Sequence, residues 1–237
     1  MEAQCAGRKA YTMIRIVVVC EGQTEETFVR DVLEPHFSPT GLYLYAQTID
    51  TSPGHRGGAL NYDRVQRQLR NTLRQKSAPV VTTFFDLYRL DKRFPGFDTA
   101  MTSSSMEARV ETLNAALAKD IVALTECDPA RFLPHIQPHE FEALLFSDVA
   151  TLTGVERSWA RSAVELRTIR QQVATPEHIN DQPDTKPAAH LERLLKSPQF
   201  SKVDHGPIAA SRMGLPCIER ECRHFADWLQ RLRALAT

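Results

Sequence analysis

The feature that most constrains the fold is an almost uninterrupted apolar run, Ile14–Cys20, which ends at an acidic residue, Glu21. β-Branched residues dominate the run, so it predicts a strand that is buried on both faces, as in a parallel sheet. Gly22 and the polar residues after it predict a tight turn and the start of a helix. Glu21 is therefore expected at the carboxyl end of a central strand, the edge at which open α/β sheets collect ligands and catalytic groups.

Further strands alternate with helices along the first part of the chain. The third predicted strand ends, like the first, at an acidic residue, Asp86. The β-α-β-α-β order implies a parallel sheet with right-handed crossovers, so the predicted fold class is α/β, with a mostly parallel central sheet flanked by helices. The elements predicted in this stretch are strands at Leu42–Ile49 and Pro79–Phe85, and helices at Glu25–Glu34, which Pro35 stops, and at Asn61–Lys76.

The remaining pattern predicts an edge strand and a helical C-terminal part. Arg131–Gln137 suits a short fourth strand, which its proline places near an edge of the sheet. The predicted division of the chain is a disordered N-terminal extension at 1–12, an α/β domain at 13–148 and a helical region at 149–237 packed on it. The helices predicted here are one from Ser103–Ser105 to Ala118, one that begins within His139–Asp148, and three at Trp159–Val173, Ala188–Leu195 and Glu219–Leu235.

Composition limits the class of protein. The chain has 237 residues, 42% of them hydrophobic, and no apolar run approaches the roughly 20 residues that a membrane-spanning helix needs. Its 29 basic and 29 acidic residues cancel, which argues against a chain whose whole surface binds nucleic acid. The five cysteines are odd in number and scattered, which indicates free thiols in a reducing cytoplasm. We therefore expect a cytoplasmic protein with no membrane partner.

Glu21 and Asp86 form the first candidate site. Both follow buried strands, and the carboxyl ends of neighbouring parallel strands lie side by side. Two carboxylates that meet repel each other unless a proton or a cation lies between them. Hard oxygen ligands of this kind suit Mg²⁺ or Mn²⁺. The alternative, that each acid only ends a strand and caps the next helix, stays open.

A second acidic group follows the fourth predicted strand. Glu140 and Glu142 lie at the same expected edge of the sheet, but two residues apart on a helix they diverge, so at most one should point into the site. The alternative is a helix start enriched in acids that complement the helix dipole. A glycine-rich loop, His55–Gly58, contains Arg56, which is a candidate for phosphate binding.

The ordered motifs of the chain resemble a known bacterial family, the domain of unknown function 4276. That family is similar to the Toprim group, which contains the catalytic domains of topoisomerases and primases and the overcoming-lysogenization-defect nucleases. The resemblance implies a Toprim-like (Rossmann-like) α/β fold. The motifs that carry it are Val19–Glu26, Phe84–Tyr88, Phe94–Gly96, His139–Asp148, Thr175–Asp181 and Cys222–Trp228.

In the Toprim group a glutamate follows the first strand and an Asp-x-Asp motif follows the third, and two divalent cations bind nucleic-acid phosphates. Glu21 matches the glutamate and Asp86 the first aspartate. Position 88 is Tyr, so the second aspartate is missing. Asp91 is a displaced substitute, and Glu140 or Glu142 would supply the remaining ligand of a variant site.

The resemblance implies a Mg²⁺- or Mn²⁺-dependent nuclease that acts on DNA or RNA. It also implies a phage-defence module and an ABC-type ATPase encoded nearby as partner; a homodimer is a further expectation. Two alternatives stay open: a non-catalytic regulatory subunit of an ATPase complex with a degenerate Toprim-like site, favoured by Tyr88, and a phosphotransferase or nucleotide-binding switch. The residues expected at the nuclease site are Glu21, Asp86 and Glu140 as catalytic groups, with Glu25 and Glu142 as further metal ligands, and Arg56, Lys92 and Arg93 as phosphate contacts.

Overall fold

A parallel sheet lies at the centre of the computed structural model, which describes residues 13–49, 60–179 and 184–236. The expectation for residues 1–12 lies outside the described residues. The strands are β1 (Ile14–Cys20), β2 (Leu42–Thr48), β3 (Val80–Asp86), β4 (Phe132–Leu133) and β5 (Ile136–Gln137). The α-helices are α1 (Gln23–Phe28), α2 (Glu34–Phe37), α3 (Tyr62–Leu73), α4 (Phe97–Met101), α5 (Met106–Thr125), α6 (Val149–Thr153), α7 (Ala163–Gln171), α8 (Pro187–Leu194), α9 (Lys202–Met213), α10 (Leu215–Glu221) and α11 (Arg223–Arg233).

The strands run in the order β2-β1-β3-β4, with β5 also paired to β3, and every pairing is parallel. Cys20 at the end of β1 is opposite Thr48 of β2 and Phe84 of β3. This register brings the carboxyl ends of β1 and β3 to the same edge. The prediction of an α/β fold with a mostly parallel sheet is confirmed.

The predicted fourth strand is divided in two. Pro134 has no N–H to give to a ladder, and it separates β4 from β5. The hydroxyl of Thr83 bridges the gap, since it donates to the carbonyl of His135 at 2.8 Å and accepts from the His135 N–H at 2.9 Å. The position of β4 at the end of the strand order agrees with the prediction of an edge strand.

The helix after β1 was predicted to stop at Pro35, but it continues beyond this residue. It continues from α1 through a π-helical segment, Val29–Leu33, into α2, which contains Pro35. In the π segment the Glu34 N–H bonds to the carbonyl of Val29, five residues earlier. We attribute the continuation to this wider turn, which relieves the clash that a proline ring makes with the preceding turn of an ordinary α-helix.

Alternate residues of β1 face two separate hydrophobic cores. Ile16 and Val18 pack into a core with α1 and the C-terminal helices, whereas Val17 and Val19 pack into a core with α3 and α5. Helix α5 runs beyond the predicted end at Ala118 because Ile121 continues its buried stripe. The sheet is thus covered by helices on both faces, as its apolar strands require.

The C-terminal part differs from the prediction in two ways. Helix α9 was not predicted, because its sequence contains Gly206 and Pro207, which usually mark the end of a helix. The predicted helix Glu219–Leu235 is instead two helices, α10 and α11, which are divided at Cys222. Helices Trp159–Val173 and Ala188–Leu195 correspond to α7, preceded by a 3₁₀ turn, and to α8.

Helix α11 is joined directly to the sheet. The indole N–H of Trp228 donates to the hydroxyl of Thr82 in β3 at 2.9 Å, and its ring packs on Phe84 with 5.2 Å between centroids. The buried ring of His135 also stacks on the indole system, with 4.4 Å between centroids, and it lies next to Phe84. The C-terminal helices therefore share a core with the sheet.

A helix of a length and apolarity that could cross a bilayer is not found among the described residues.

Candidate metal centre at the carboxyl edge of the sheet

Glu21 and Asp86 lie at the carboxyl ends of two neighbouring strands. Glu21 follows β1 directly, and Asp86 is the last residue of β3. Glu21 Oε1 is 3.4 Å from the Nε of Arg89, which lies in the short 3₁₀ turn after β3. Asp86 Oδ1 accepts the backbone N–H of Phe141 at 2.9 Å. The structure thus brings together the two acids that the sequence singled out.

Glu25 is buried in the first turn of α1. Its Oε2 accepts the backbone N–H of Gly22 at 3.0 Å, which is one half of a capping box, since the glycine N-cap has no side chain to supply the other. Gly22 itself has φ −156°, an extended conformation open to any residue, so the turn does not require glycine for its backbone angles. The turn that Gly22 was expected to permit therefore does not depend on the conformational freedom of glycine.

Glu140 and Glu142 are both buried at this edge. The backbone of Glu140 is extended, with φ −146°, and a 3₁₀ helix, Phe141–Asp148, begins after it. Both oxygens of Glu140 are engaged: Oε1 lies 2.6 Å from the Nζ of Lys186, and Oε2 accepts the N–H of Ala188 at 3.1 Å. Glu142 Oε1 lies 3.8 Å from the Nζ of Lys202.

The helical geometry expected for Glu140 and Glu142 is not found, because Glu140 is extended and precedes the 3₁₀ helix. Both carboxylates still lie close enough to Asp86 to raise its pKa. His139, the residue before Glu140, has a left-handed backbone with φ 57°, a sparsely populated conformation that turns the chain back toward β3. We refer to Glu21, Glu25, Asp86, Glu140 and Glu142 as the carboxylate cluster.

Burial and mutual repulsion hold protons on this cluster. Burial, and then the charge of Glu25, raise the pKa of Glu21 to about 8. Burial raises the pKa of Glu142 to about 7, against the attraction of Lys202. The pKa of Asp86 is raised well above its ordinary value by burial and by the other four acids, and burial also raises the pKa of Glu25. The cluster therefore favours added positive charge, as protons or as a cation.

Three basic residues near the cluster were missed by sequence reasoning: Arg89, Lys186 and Lys202. The lysines come from the C-terminal part, Lys202 from the first turn of α9 and Lys186 from the residue before α8. Burial lowers the pKa of Lys202, but the attraction of Glu142, Glu25 and Asp86 outweighs it, so the pKa is raised. Because Lys186 is 46 residues from Glu140, no local sequence pattern could have indicated the pair.

The predicted phosphate contacts lie outside the cluster or outside the described residues. Arg93 is held by two acids, with 2.7 Å to Asp63 and 3.1 Å to Asp91. Asp91 also accepts the N–H of Tyr62 at 3.3 Å, so it is engaged both by Arg93 and at the start of α3. Lys92 is exposed on the same loop. Arg56 lies outside the described residues.

The donor chemistry of the cluster fits a hard divalent cation such as Mg²⁺ or Mn²⁺. Glu21 Oε2 and Glu142 Oε1 are buried without a hydrogen-bond partner. As the side chains stand, however, the described part of the chain contains no group of three or more His, Cys, Asp or Glu placed to hold a metal ion. Glu21, Asp86 and Glu142 are the residues that would hold a cation, after their side chains converge.

Fold and site together define an α/β protein with a buried carboxylate cluster at the carboxyl edge of a parallel sheet. The family described as a domain of unknown function, DUF4276, matches residues 20–233, and the chain belongs to this family. The family membership expected from the sequence motifs is confirmed. No curated protein and no solved structure matches the chain.

Proposed function

We propose that this protein is a Toprim-like nuclease that depends on Mg²⁺ or Mn²⁺ and cleaves phosphodiester bonds in DNA or RNA. The observation that carries the proposal is the carboxylate cluster at the sheet edge, in which one buried oxygen each of Glu21 and Glu142 has no hydrogen-bond partner. A buried carboxyl oxygen without a hydrogen bond is costly. Such a group is therefore expected to serve a ligand, and a phosphate-binding cation fits its chemistry.

Each acid of the cluster has a separate part in the proposal. Glu21, Asp86 and Glu142 would hold the cation, which when bound supplies positive charge to the phosphate and activates water. Glu140 positions the 139–142 turn through its contacts with Lys186 and the N–H of Ala188. Glu25 keeps the start of α1 fixed beside Glu21 through its capping contact with Gly22.

The basic residues at the site also have a part in the proposal. Lys202 offsets the charge of Glu142, and Arg89 offsets that of Glu21. With a cation bound to the carboxylates, Lys202 and Arg89 would be the groups that meet the phosphate oxygens of a substrate. Helix α9 is thus part of the proposed site, since it supplies Lys202.

The context of the activity is also part of the proposal. The resemblance to Toprim-like nucleases supports an effector of a phage-defence module that works with an ABC-type ATPase encoded nearby. We also propose that the protein forms a homodimer and is located in the cytoplasm. Copurification with the product of the neighbouring ATPase gene tests the partner directly.

Cleavage assays test the nuclease. Supercoiled plasmid and a long RNA are incubated with Mg²⁺ or Mn²⁺ and with wild type, Glu21→Gln, Asp86→Asn or the control Glu192→Gln, which removes an exposed carboxylate. We expect cleavage by wild type and by the control, and none by the two site variants. Cleavage that survives both site substitutions would overturn the proposal.

One observation favours a second candidate, a non-catalytic regulatory subunit of an ATPase complex. Tyr88 stands where the Toprim group has its second aspartate, and the Nζ of Lys186 lies over its ring, 4.5 Å from the centroid. Titration calorimetry with Mn²⁺ separates the two candidates. No heat of binding at millimolar Mn²⁺ would select the regulatory subunit.

A further inference from the structure

Helix α3 presents a row of arginines to solvent on the face opposite to its buried side. We call Arg67, Arg70 and Arg74 the arginine row. At 3.6 residues per turn the three Cα positions lie within about 60° of one another around the helix axis. Arg67 and Arg74 are exposed and Arg70 is half-exposed. The residues that pack inward are Val65, Leu69 and Leu73.

The arginine row is not engaged by the protein itself. Among the described residues, none of its three guanidinium groups has a hydrogen bond or an ion pair. Elsewhere carboxylates neutralise guanidinium groups: Arg30, Arg93 and Arg233 lie 2.6–2.7 Å from their partners. Three like charges held on one helix face repel one another, so the row costs stability and gains from a polyanionic partner.

The zero net charge of the chain hides an uneven distribution. Glu25, Asp86, Glu140, Glu142 and Glu177 are all buried, so their negative charge is absent from the surface. The surface is therefore more basic than the sequence count of 29 against 29 indicates. A basic stripe on an otherwise balanced protein is typical of a nucleic-acid backbone contact.

The helix that carries the row begins beside the candidate metal centre. The N–H of Tyr62, at the start of α3, donates to Asp91 at 3.3 Å, and the N–H of Leu60 donates to the carbonyl of Arg89 at 2.5 Å. Arg89 in turn contacts Glu21. Helix α3 thus starts at the edge of the carboxylate cluster and leads away from it.

The length of the row fits a run of phosphates. With a rise of about 1.5 Å per residue, Arg67 and Arg74 are separated by about 10 Å along the helix axis. One strand of a duplex carries one phosphate per about 3.4 Å of helix axis, so the row covers about three of them.

We propose that the arginine row binds the phosphate backbone of the nucleic acid whose scissile bond lies at the carboxylate cluster, an inference that rests on the proposed function. Arginine contacts to phosphates position a strand without reading its sequence. The row would therefore position the nucleic-acid strand, and the phosphodiester bond at the carboxylate cluster would be cleaved.

Salt dependence of binding tests this inference. Fluorescence anisotropy with labelled DNA and RNA, single- and double-stranded, is measured in EDTA, so that the strand stays intact. The triple variant Arg67→Gln/Arg70→Gln/Arg74→Gln is compared with Arg157→Gln/Arg161→Gln/Arg167→Gln. The control removes the same charge from three exposed arginines on the opposite side of the sheet.

We expect the row variant to lower the slope of log K against log salt by about 2–3, since each phosphate contact contributes about 0.7 on single strands and 0.9 on duplex DNA. The control should keep the wild-type slope. Both variants should unfold at or slightly above the wild-type thermal midpoint, because exposed arginines carry little stability and the row variant also loses the repulsion within the row.

Two results would overturn the inference. One is an equal loss of slope in both triple variants, which shows a general charge effect; the other is an unchanged slope in the row variant. If the row variant instead fails only to bind the neighbouring ATPase, the row is a protein interface. Metal-dependent cleavage by wild type in the same preparation shows independently whether the proposed function stands.

Discussion

The side chain of Asp86 and the backbone of Phe141 are joined by a buried hydrogen bond, in which Oδ1 of Asp86 accepts the Phe141 N–H at 2.9 Å. A second hydrogen bond links the same two segments, since the N–H of Tyr88 donates to the carbonyl of His139 at 3.1 Å. Together they fasten the end of β3 to the turn that carries Glu140 and Glu142. Asp86 therefore has a structural task besides any ligand that it holds.

Two substitutions of Asp86 separate these tasks. Asp86→Asn keeps an acceptor for Phe141 and removes the charge, so the fold should persist while nuclease activity is lost. Asp86→Ala leaves a buried N–H without a partner, which costs about 1–3 kcal/mol. Urea unfolding at pH 6, where the cluster holds protons, measures the difference. Equal stabilities of the two variants would contradict this account.

Glu21 should make the stability of the metal-free protein depend on pH. Its pKa is raised to about 8, so its contribution to stability is complete below the unfolded value of 4.5 and is lost as the pH rises through 8. In EDTA we expect wild type to be less stable at pH 9 than at pH 6. Glu21→Gln should be more stable than wild type at pH 9, by about 1–3 kcal/mol, since one pKa unit corresponds to about 1.4 kcal/mol and the buried amide recovers only part of it.

Thermal unfolding at the two pH values, with Glu192→Gln as the control, measures this effect. A control with the wild-type pH profile and a flattened profile for Glu21→Gln support the account. A wild-type profile in both variants refutes it. Loss of activity together with a gain of stability would mark Glu21 as a functional rather than a structural residue.

Gly206 permits the close approach of α9 to the site. A Cβ at this position would lie 3.0 Å from Cε1 of Phe141, whose N–H binds Asp86. A Gly-to-Ala change inside a helix ordinarily gains about 0.5–1 kcal/mol. Here we expect Gly206→Ala to cost about 1–2 kcal/mol instead, because α9 or the Phe141 ring must shift.

The same variant should reduce cleavage, since Lys202 lies one helical turn before Gly206 on the same face of α9. Ser211→Ala, on the exposed side of α9, serves as the matched control and should leave both stability and cleavage unchanged. A stabilised Gly206→Ala protein would show that α9 is not held against the site in this way.

Gly96 has a different constraint, which concerns the fold and not the site. It precedes α4 with a left-handed φ of 77°, and a Cβ there would lie 2.7 Å from Cβ of Ala116 in α5. Gly96→Ala should cost about 2–4 kcal/mol through backbone strain and overpacking. In a double-mutant cycle with Ala116→Gly, the overpacking should be relieved and the strain retained. Additive effects would show that the two residues are not in contact.

The strands were predictable because each carries its own signal. The apolar run of β1 and the β-branched run of β3 predicted both strands to within a residue, and with them the meeting of Glu21 and Asp86. The continuation of the helix past Pro35 was not predictable, because it depends on a π-helical turn that no residue type indicates.

The basic half of the site was not predictable from the sequence. Lys202 lies on α9, a helix that was not predicted because its sequence contains a glycine and a proline. Lys186 contacts Glu140 only through tertiary packing. Conversely, the loop arginine that looked available, Arg93, is neutralised by Asp63 and Asp91. Charge pairing is set by packing between distant segments, and residue spacing along the chain does not encode it.

The contact between Trp228 and Thr82 joins segments 146 residues apart, which has a consequence for synthesis on the ribosome. A nascent chain that ends before α11 lacks Phe225, Trp228 and Leu229, so the core on one face of the sheet stays incomplete, although all of its strands have been made. We therefore expect folding to be completed only when the last helix emerges, and the cluster to assemble at that moment. An arrest sequence that reports folding force should respond after the whole chain, and not after one that ends before Arg223.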